Sequence, residues 1–298
     1  MDYGRDLQFG YFPTPNAAEY QEILQQVQLC EQLGLDLIGI QDHPYQRRFL
    51  DAWTLLAFLA GRTSRIRFFT DVANLPLRPP AMLAKAAASL DVLSGGRIEV
   101  GLGTGAYWEG IQAMGGPSRS PGEAVTALEE ALQIMRRMWS GARGVHFAGQ
   151  YYTLQGAHSG PEPAHPIGIW LGAYGPRMLA LTGRLGDGWV PSSSYAPRAR
   201  LKAMQARIDA AAADAGRDPV EIRRVYNLMG SISDGPSDGF LNGPVAQWVD
   251  VLTGLALEDG LDSFIFAPSE MPTAQLKLFA REVVPRVREN VLNSRRAG

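Results

Sequence analysis

Cysteine is almost absent: Cys30 stands alone among 298 residues, so no disulfide framework can form. It lies in a helical pattern beside Val27 and Leu33, where a buried reduced thiol is expected rather than a nucleophile or a metal ligand. An excess of one charge is missing too. The formal charge is only -2, the pI is about 6.1, and no Lys/Arg run occurs. Neither nucleic acid nor an anionic membrane is therefore expected as a partner, and a small molecule is. No apolar run approaches the roughly 18 residues of a membrane span. The amino terminus, MDYGRDLQFGYF, has no basic region followed by an apolar stretch, which predicts a cytoplasmic protein. No His/Cys/Glu cluster has metal spacing, and neither G-x-S-x-G nor a P-loop occurs.

What is present suits a large core, with 46% hydrophobic and 19% charged residues and a disorder signature only in the polar last few. Short apolar runs rich in branched or aromatic residues recur, each followed by a segment of helical period, the pattern of repeated βα units. Strands are predicted at Leu7–Phe12, Leu37–Gln41, Ile66–Thr70, Ile98–Leu102, Ile169–Ala173, Gly188–Val190, Arg223–Ser231 and Ser263–Phe266. Helices are predicted at Ala18–Leu33, Leu50–Ala60, Pro79–Leu93, Pro121–Ser140, Pro176–Gly183, Pro197–Ala215, Val245–Asp259 and Thr273–Leu292, with glycine closing the first at Gly34 and the fourth at Gly141. Eight units without a linker predict one (β/α)₈ TIM barrel over residues 1–298. Val145–Phe147 and Tyr151–Leu154, flanking Ala148-Gly149-Gln150, predict a hairpin excursion before strand five.

Reactive groups of such a barrel sit where strands end. Strand two ends Gln41-Asp42-His43, delivering a carboxylate and an imidazole. A histidine there can move protons near neutrality or hold a cofactor ring; the structural alternative is that Asp42 caps a turn and His43 is an ordinary polar residue. Strand three runs into Asp71-Val72, and the cost of burying a carboxylate turns Asp71 towards the mouth. Strand four leads into Gly101-Leu102-Gly103-Thr104-Gly105-Ala106, a formal dinucleotide fingerprint. A Rossmann turn should open a helix at once and have an acidic partner about 20 residues on. No helix is predicted there, since Gly110, Gly115, Gly116 and Pro117 follow, and Glu123 falls inside a later helix. The glycines instead suit close backbone approach to a planar or phosphorylated ligand, with Thr104 adding a hydroxyl. Strand five ends Gly172-Ala173-Tyr174-Gly175-Pro176-Arg177 and turns helical, so free amides and a guanidinium converge as an anion site. Phe12, Tyr45, Tyr107, Trp108, Trp189 and Tyr195 are candidates to wall a substrate pocket, although each alone is more often packing.

Together, Asp42-His43, Ser89 to Gly105 (SLDVLSGGRIEVGLGTG) and Ile169 to Val190 (IWLGAYGPRMLALTGRLGDGWV) resemble the luciferase-like flavin and deazaflavin oxidoreductases over most of the chain. The resemblance implies a TIM-type barrel using coenzyme F420 for hydride transfer or, alternatively, FMN for oxygen-dependent monooxygenation. GLGTG and Asp-His look more like the coenzyme F420 branch. For that branch the resemblance implies a cis peptide between Asp71 and Val72 beneath the ring, a phosphate near Gly175, Pro176 and Arg177 with Gly103, Thr104 and Gly105 along the channel, and a homodimer. His43 is then the expected proton handler, with Asp42 beside it. One departure matters: sugar-phosphate dehydrogenases of the branch carry an acidic residue directly after GTG, where this chain has Ala106, and Glu109 is the only nearby substitute. Oxidation of glucose 6-phosphate by that route is not expected. A non-catalytic flavin-binding barrel is a further alternative, and a nicotinamide-binding Rossmann enzyme stands behind it.

Overall fold

Why eight apolar runs should close on one another becomes visible in the computed structural model of the protein, which describes residues 2–297. The barrel strands are β1 (Gln8–Tyr11), β2 (Leu37–Ile40), β3 (Arg67–Thr70), β4 (Ile98–Gly103), β5 (Ile169–Leu171), β6 (Gly188–Trp189), β7 (Arg223–Ile232) and β8 (Ser263–Pro268). Every neighbouring pair is parallel, β8 returns to β1 through Gln8↔Ser263, and the sheet has no free edge between them. Both faces of each strand are covered, hence the continuous apolar runs. Leu37, Phe69, Trp170, Val190, Val225 and Ile265 fill the barrel, while Ile38, Phe68, Phe264 and Phe266 face the helices. Gly39 keeps the interior open, because a Cβ there would lie 2.8 Å from the Phe69 ring.

The outer layer is α1 (Tyr20–Gln32), α2 (Ala52–Ala60), α3 (Pro80–Ser94), α4 (Pro121–Trp139), α5 (Pro176–Leu185), α6 (Arg198–Asp214), α7 (Val245–Leu257) and α8 (Val284–Ala297). Local chemistry sets their ends. Ser120 and Glu123 form a reciprocal capping box on α4, Asp51 caps α2 through Thr54, and Gly34 and Gly141 take positive φ after α1 and α4 as expected. None of the described helices is long and apolar enough to cross a membrane.

Four local readings change. The helix predicted from Thr273 is interrupted: Pro272–Leu278 passes through a wide π turn, Phe279–Val283, into α8. Pro285 has no amide for the carbonyl four residues back, and the wider turn absorbs its ring. The polar last residues stay helical through Ala297 rather than fraying, with Arg295 paired to Asp2. The hairpin forms, but as Val145–Ala148 against Thr153–Ala157. Glu130 on α4 takes the amides of Gln150, Tyr151 and Tyr152, which removes those residues from the ladder. Finally, a short helix, Trp108–Ala113, follows Gly105 where none was expected. Gly110 permits it by leaving room for the rings of Tyr107 and Tyr45.

Candidate active site

At the carboxyl end of the barrel the loops form three adjoining chambers that share lining residues. The central one, about 240 Å³, is lined by the ends of β2 to β6, including His43, Asp71, Val72, Gly103, Thr104 and Gly172. By itself it is smaller than ordinary ligand pockets of about 300–1,000 Å³. An outer chamber of about 540 Å³ shares His43, Asp71 and Ser192 with it and adds Phe12, Gln41, Tyr195, Asn227 and Met229. A third, of about 470 Å³, shares Thr104 and Gly105 and runs past Trp108 to Gly175, Pro176 and Arg177. The mouth is thus a trough with an anion-binding end, a narrow middle and an outer pocket.

Asp71 leaves β3 and is 8% exposed. Its Oδ1 accepts the Asn227 side-chain amide at 3.0 Å, while Oδ2 is buried with no hydrogen-bond partner. Burial pushes the carboxyl up to about 7, against the opposing pull of that one hydrogen bond. The following peptide, Asp71–Val72, is cis, as the resemblance implies. Val72 then lies against β4 and β5: a Cβ on Gly103 would meet its Cγ2 at 2.7 Å, and one on Gly172 at 3.2 Å. The glycines at 103 and 172 therefore make room for Val72, an internal demand that the ligand-approach reading of GLGTG did not contain. Gly105, at φ 90°, is packed against Pro76.

Asp42 and His43 part company although adjacent. The Asp42 carboxylate is 1% exposed and fully engaged: Arg78 donates to both oxygens at 2.6 and 2.7 Å, and the Asn74 amide adds a third bond at 2.9 Å. Of the expected catalytic pair, Asp42 thus has both oxygens spent on holding the loop after β3. His43 is exposed at the rim, with Nδ1 2.7 Å from the Tyr45 hydroxyl. Burial of part of the ring lowers its pKa against the opposing field of Asp42, which favours the neutral imidazole.

At the other end, α5 begins at Gly175–Pro176 with no side-chain cap, so its first amides are free. Arg177 is exposed, and its guanidinium has no protein partner among the described residues. Nothing lies within 4 Å of where a Gly175 Cβ would project. The start of α4, Pro121 and Gly122, lines the same chamber. Two helix amino termini and a free cation therefore face one space.

Some sequence candidates fall elsewhere. Trp189 is 0% exposed in the core, where its indole N–H donates to the Ala173 carbonyl; neither residue lines a chamber. The β6 pattern places alternate residues on opposite faces, and Trp189 takes the helix side while Val190 takes the interior. Tyr107 packs edge-on against Tyr45 without lining a chamber, and Trp108 belongs to the anion end. Phe12 and Tyr195 do line the outer pocket, and Tyr45 the central one. Glu109 is exposed and lines none of the three. Sequence reasoning missed Asn227, Ser192, Tyr174 and Arg78. Asn227 had a signal, a polar side chain inside the apolar run Val225–Leu228; Arg78 had none, because its partner is 36 residues away.

Comparison with known proteins agrees with this architecture. The family described as Luciferase-like monooxygenase matches residues 1–238. An F420-dependent glucose-6-phosphate dehydrogenase of Gordonia bronchialis is 30% identical over 78% of this chain and 70% of its own length. An F420-dependent hydroxymycolic acid dehydrogenase of Mycobacterium tuberculosis is 34% identical over 71% of this chain and 59% of its own. Among solved structures, an F420-dependent secondary alcohol dehydrogenase in complex with an F420-acetone adduct superposes with a TM-score of 0.85 at 20% identity, covering 95% of this chain and 99% of the other. On the extent of the family match and the shared barrel, the chain belongs to the luciferase-like monooxygenase family.

Proposed function

We propose that the protein is a coenzyme F420-dependent oxidoreductase that moves hydride to or from a small organic substrate. The observation that carries this reading is the sharing of wall residues among three adjoining chambers, which offers a phosphorylated cofactor an anion end, a narrow middle and an outer pocket for a second molecule. The names of the relatives supply the cofactor. The residues present fit it. Arg177 and the first amides of α5, with open space at Gly175, suit a phosphate. Asp71 and Val72 would back the ring, with Gly103, Thr104, Gly105 and Gly172 along its channel. When bound, the deazaflavin supplies a hydride acceptor or donor at its carbon 5. The chain's own part is to hold both reactants at the wall shared by two chambers, to exclude water between them and to move protons. His43, neutral and exposed at the rim, exchanges protons at that wall while Tyr45 orients its ring.

Titrating the purified protein with coenzyme F420 and with FMN, read by fluorescence, tests the reading. Saturable coenzyme F420 binding is expected. Oxygenated product from reduced FMN and oxygen, with no coenzyme F420 binding, would overturn it. Changing His43 to Ala should lower turnover about 100-fold while leaving coenzyme affinity nearly unchanged. We further propose a cytoplasmic homodimer. The apolar residues Met82, Val92 and Leu93 exposed on α3 support self-association, and light scattering after gel filtration measures it.

A further inference from the structure

The hydrogen bond between His43 Nδ1 and the Tyr45 hydroxyl, 2.7 Å long, lies at the exposed rim. Water competes for such a bond, so by itself it would not hold a ring in place. What surrounds Tyr45 supplies the hold. The Tyr107 ring meets it edge-on with centroids 5.2 Å apart, and the imidazole lies 5.6 Å from it. Tyr107 is 51% exposed and lines none of the three chambers, so neither burial in the core nor contact with a ligand accounts for its place. The short helix Trp108–Ala113 packs against the same two rings at Gly110. A Cβ there would lie 2.5 Å from Tyr107 Cδ1 and 2.9 Å from Tyr45 Cγ, closer than unbonded carbons approach. Glycine inside a helix is unfavourable, and the two rings are the reason for this one. On the inner side Asn74, 5% exposed, turns its side-chain amide to the Tyr45 hydroxyl, while its backbone N–H is fixed on Asp42 at 2.9 Å. Arg78 in turn clamps Asp42. A chain of contacts thus runs from a buried ion pair to the imidazole that lines both the central and the outer chamber.

Resting on the function proposed above, we infer that the segment Tyr107–Gly110 is a positioning element that holds Tyr45 against His43, so that Nδ1 is spent on the protein and Nε2 is presented to the ligands. The two nitrogens of an imidazole are distinct, and the bond made at one decides what the other offers. Asn74 donates to the Tyr45 oxygen, which leaves the phenolic proton for Nδ1. Nε2 then carries the proton of the neutral ring, and it has no hydrogen-bond partner among the described residues. The ionisable groups around the ring are Asp42 and Tyr45 from its own loop, Asp71 from the end of β3 and, behind Tyr45, Tyr107. Burial of part of the ring keeps it neutral against the pull of Asp42. The segment acts only through Tyr45. Its role is that of a support, which fixes a reactive ring that the exposed rim would otherwise leave free to turn.

The test is NMR of the full chain labelled with ¹⁵N-histidine, first without coenzyme and at about pH 8, where an imidazole of ordinary pKa is neutral. The His43 signals are those missing from His43→Ala. In the unaltered protein Nδ1 should show the shift of an unprotonated nitrogen that accepts a hydrogen bond, with the proton on Nε2. Tyr45→Phe should return Nδ1 to the shift of a free acceptor. Gly110→Ala and Tyr107→Ala keep the Tyr45 hydroxyl, yet each should weaken or abolish the same signature, whereas Gln112→Ala, exposed on the same helix, should not. Tyr107→Ala adds no bulk, and it decides the matter should Gly110→Ala fail to fold. Adding coenzyme F420 to the unaltered protein should then shift Nε2 and leave Nδ1 in place. A free or protonated Nδ1 in the unaltered protein, or an Nδ1 indifferent to Tyr45→Phe, overturns the assignment of the two nitrogens. An Nδ1 that Tyr107→Ala leaves unchanged overturns the role of the segment, and a bound coenzyme that moves Nδ1 but not Nε2 overturns the direction in which the ring is presented. Failure of the unaltered protein to bind coenzyme F420 would count against the underlying function, and the signals of the coenzyme-free protein would still decide whether the segment positions His43.

Discussion

Replacing Asp71 by Asn keeps the shape of the side chain and the hydrogen bond from Asn227 but removes the ionisation. The magnitude follows from burial. The carboxyl rises from 3.8 to about 7 on folding, and three units at about 1.4 kcal/mol each amount to about 4 kcal/mol. The sign runs against the usual behaviour of a carboxylate. Below pH 3.8 the group is protonated in both folded and unfolded chains and costs nothing. Between 3.8 and about 7 the unfolded chain loses the proton and the folded one keeps it, so stability falls by about 1.4 kcal/mol per pH unit; above about 7 the loss is complete. Relative to the unaltered protein, Asp71→Asn should therefore gain stability steadily as pH rises to about 7 and hold that gain beyond. Urea unfolding of both proteins without coenzyme, at closely spaced pH values from about 5 to about 9, reads the difference directly. Parallel stability curves over that range would refute the claim that a buried, unpaired carboxyl stands at the mouth.

Three other substitutions probe the rest of the site. Arg78→Ala strands the 1%-exposed Asp42 carboxylate and should cost about 3–5 kcal/mol, measured as a lower Tm. Gly103→Ala drives a methyl group into Val72 Cγ2, 2.7 Å away, and should cost about 1–3 kcal/mol and weaken coenzyme binding by displacing the ledge that Val72 forms. Arg177→Ala removes the free cation of the anion end, so the Kd for coenzyme F420 should rise at least about tenfold, with a shallower salt dependence and unchanged kcat.

Much of the site could be read locally because a barrel strand ends where its apolar run ends. Asp71, His43, Thr104 and Gly175 each follow such a run, and each lines a chamber. Trp189 also ends an apolar run, but in a two-residue strand a shift of one position exchanges inside for outside, and the indole went to the core. Asp42 and Asp71 look alike in sequence, each a carboxylate after an apolar run. Their fates differ because Arg78 reaches one and only a neutral amide, Asn227, reaches the other.

The amino-acid sequence by itself determined the eight βα units, their parallel closure and the positions at which polar groups emerge. Hydrophobic period and end-capping chemistry act within a few residues, and every barrel strand appears where its apolar run predicted one. Only the tertiary structure decided which of those polar groups are spent and which are free. Arg78 lies 36 residues from Asp42, and Asn227 lies 156 residues from Asp71. The burial that raises one carboxyl is made jointly by several strands, and no local pattern records it. The small-molecule site inferred at the outset from a lack of charge excess thus became a specific wall, with one buried acid whose second oxygen has no hydrogen-bond partner.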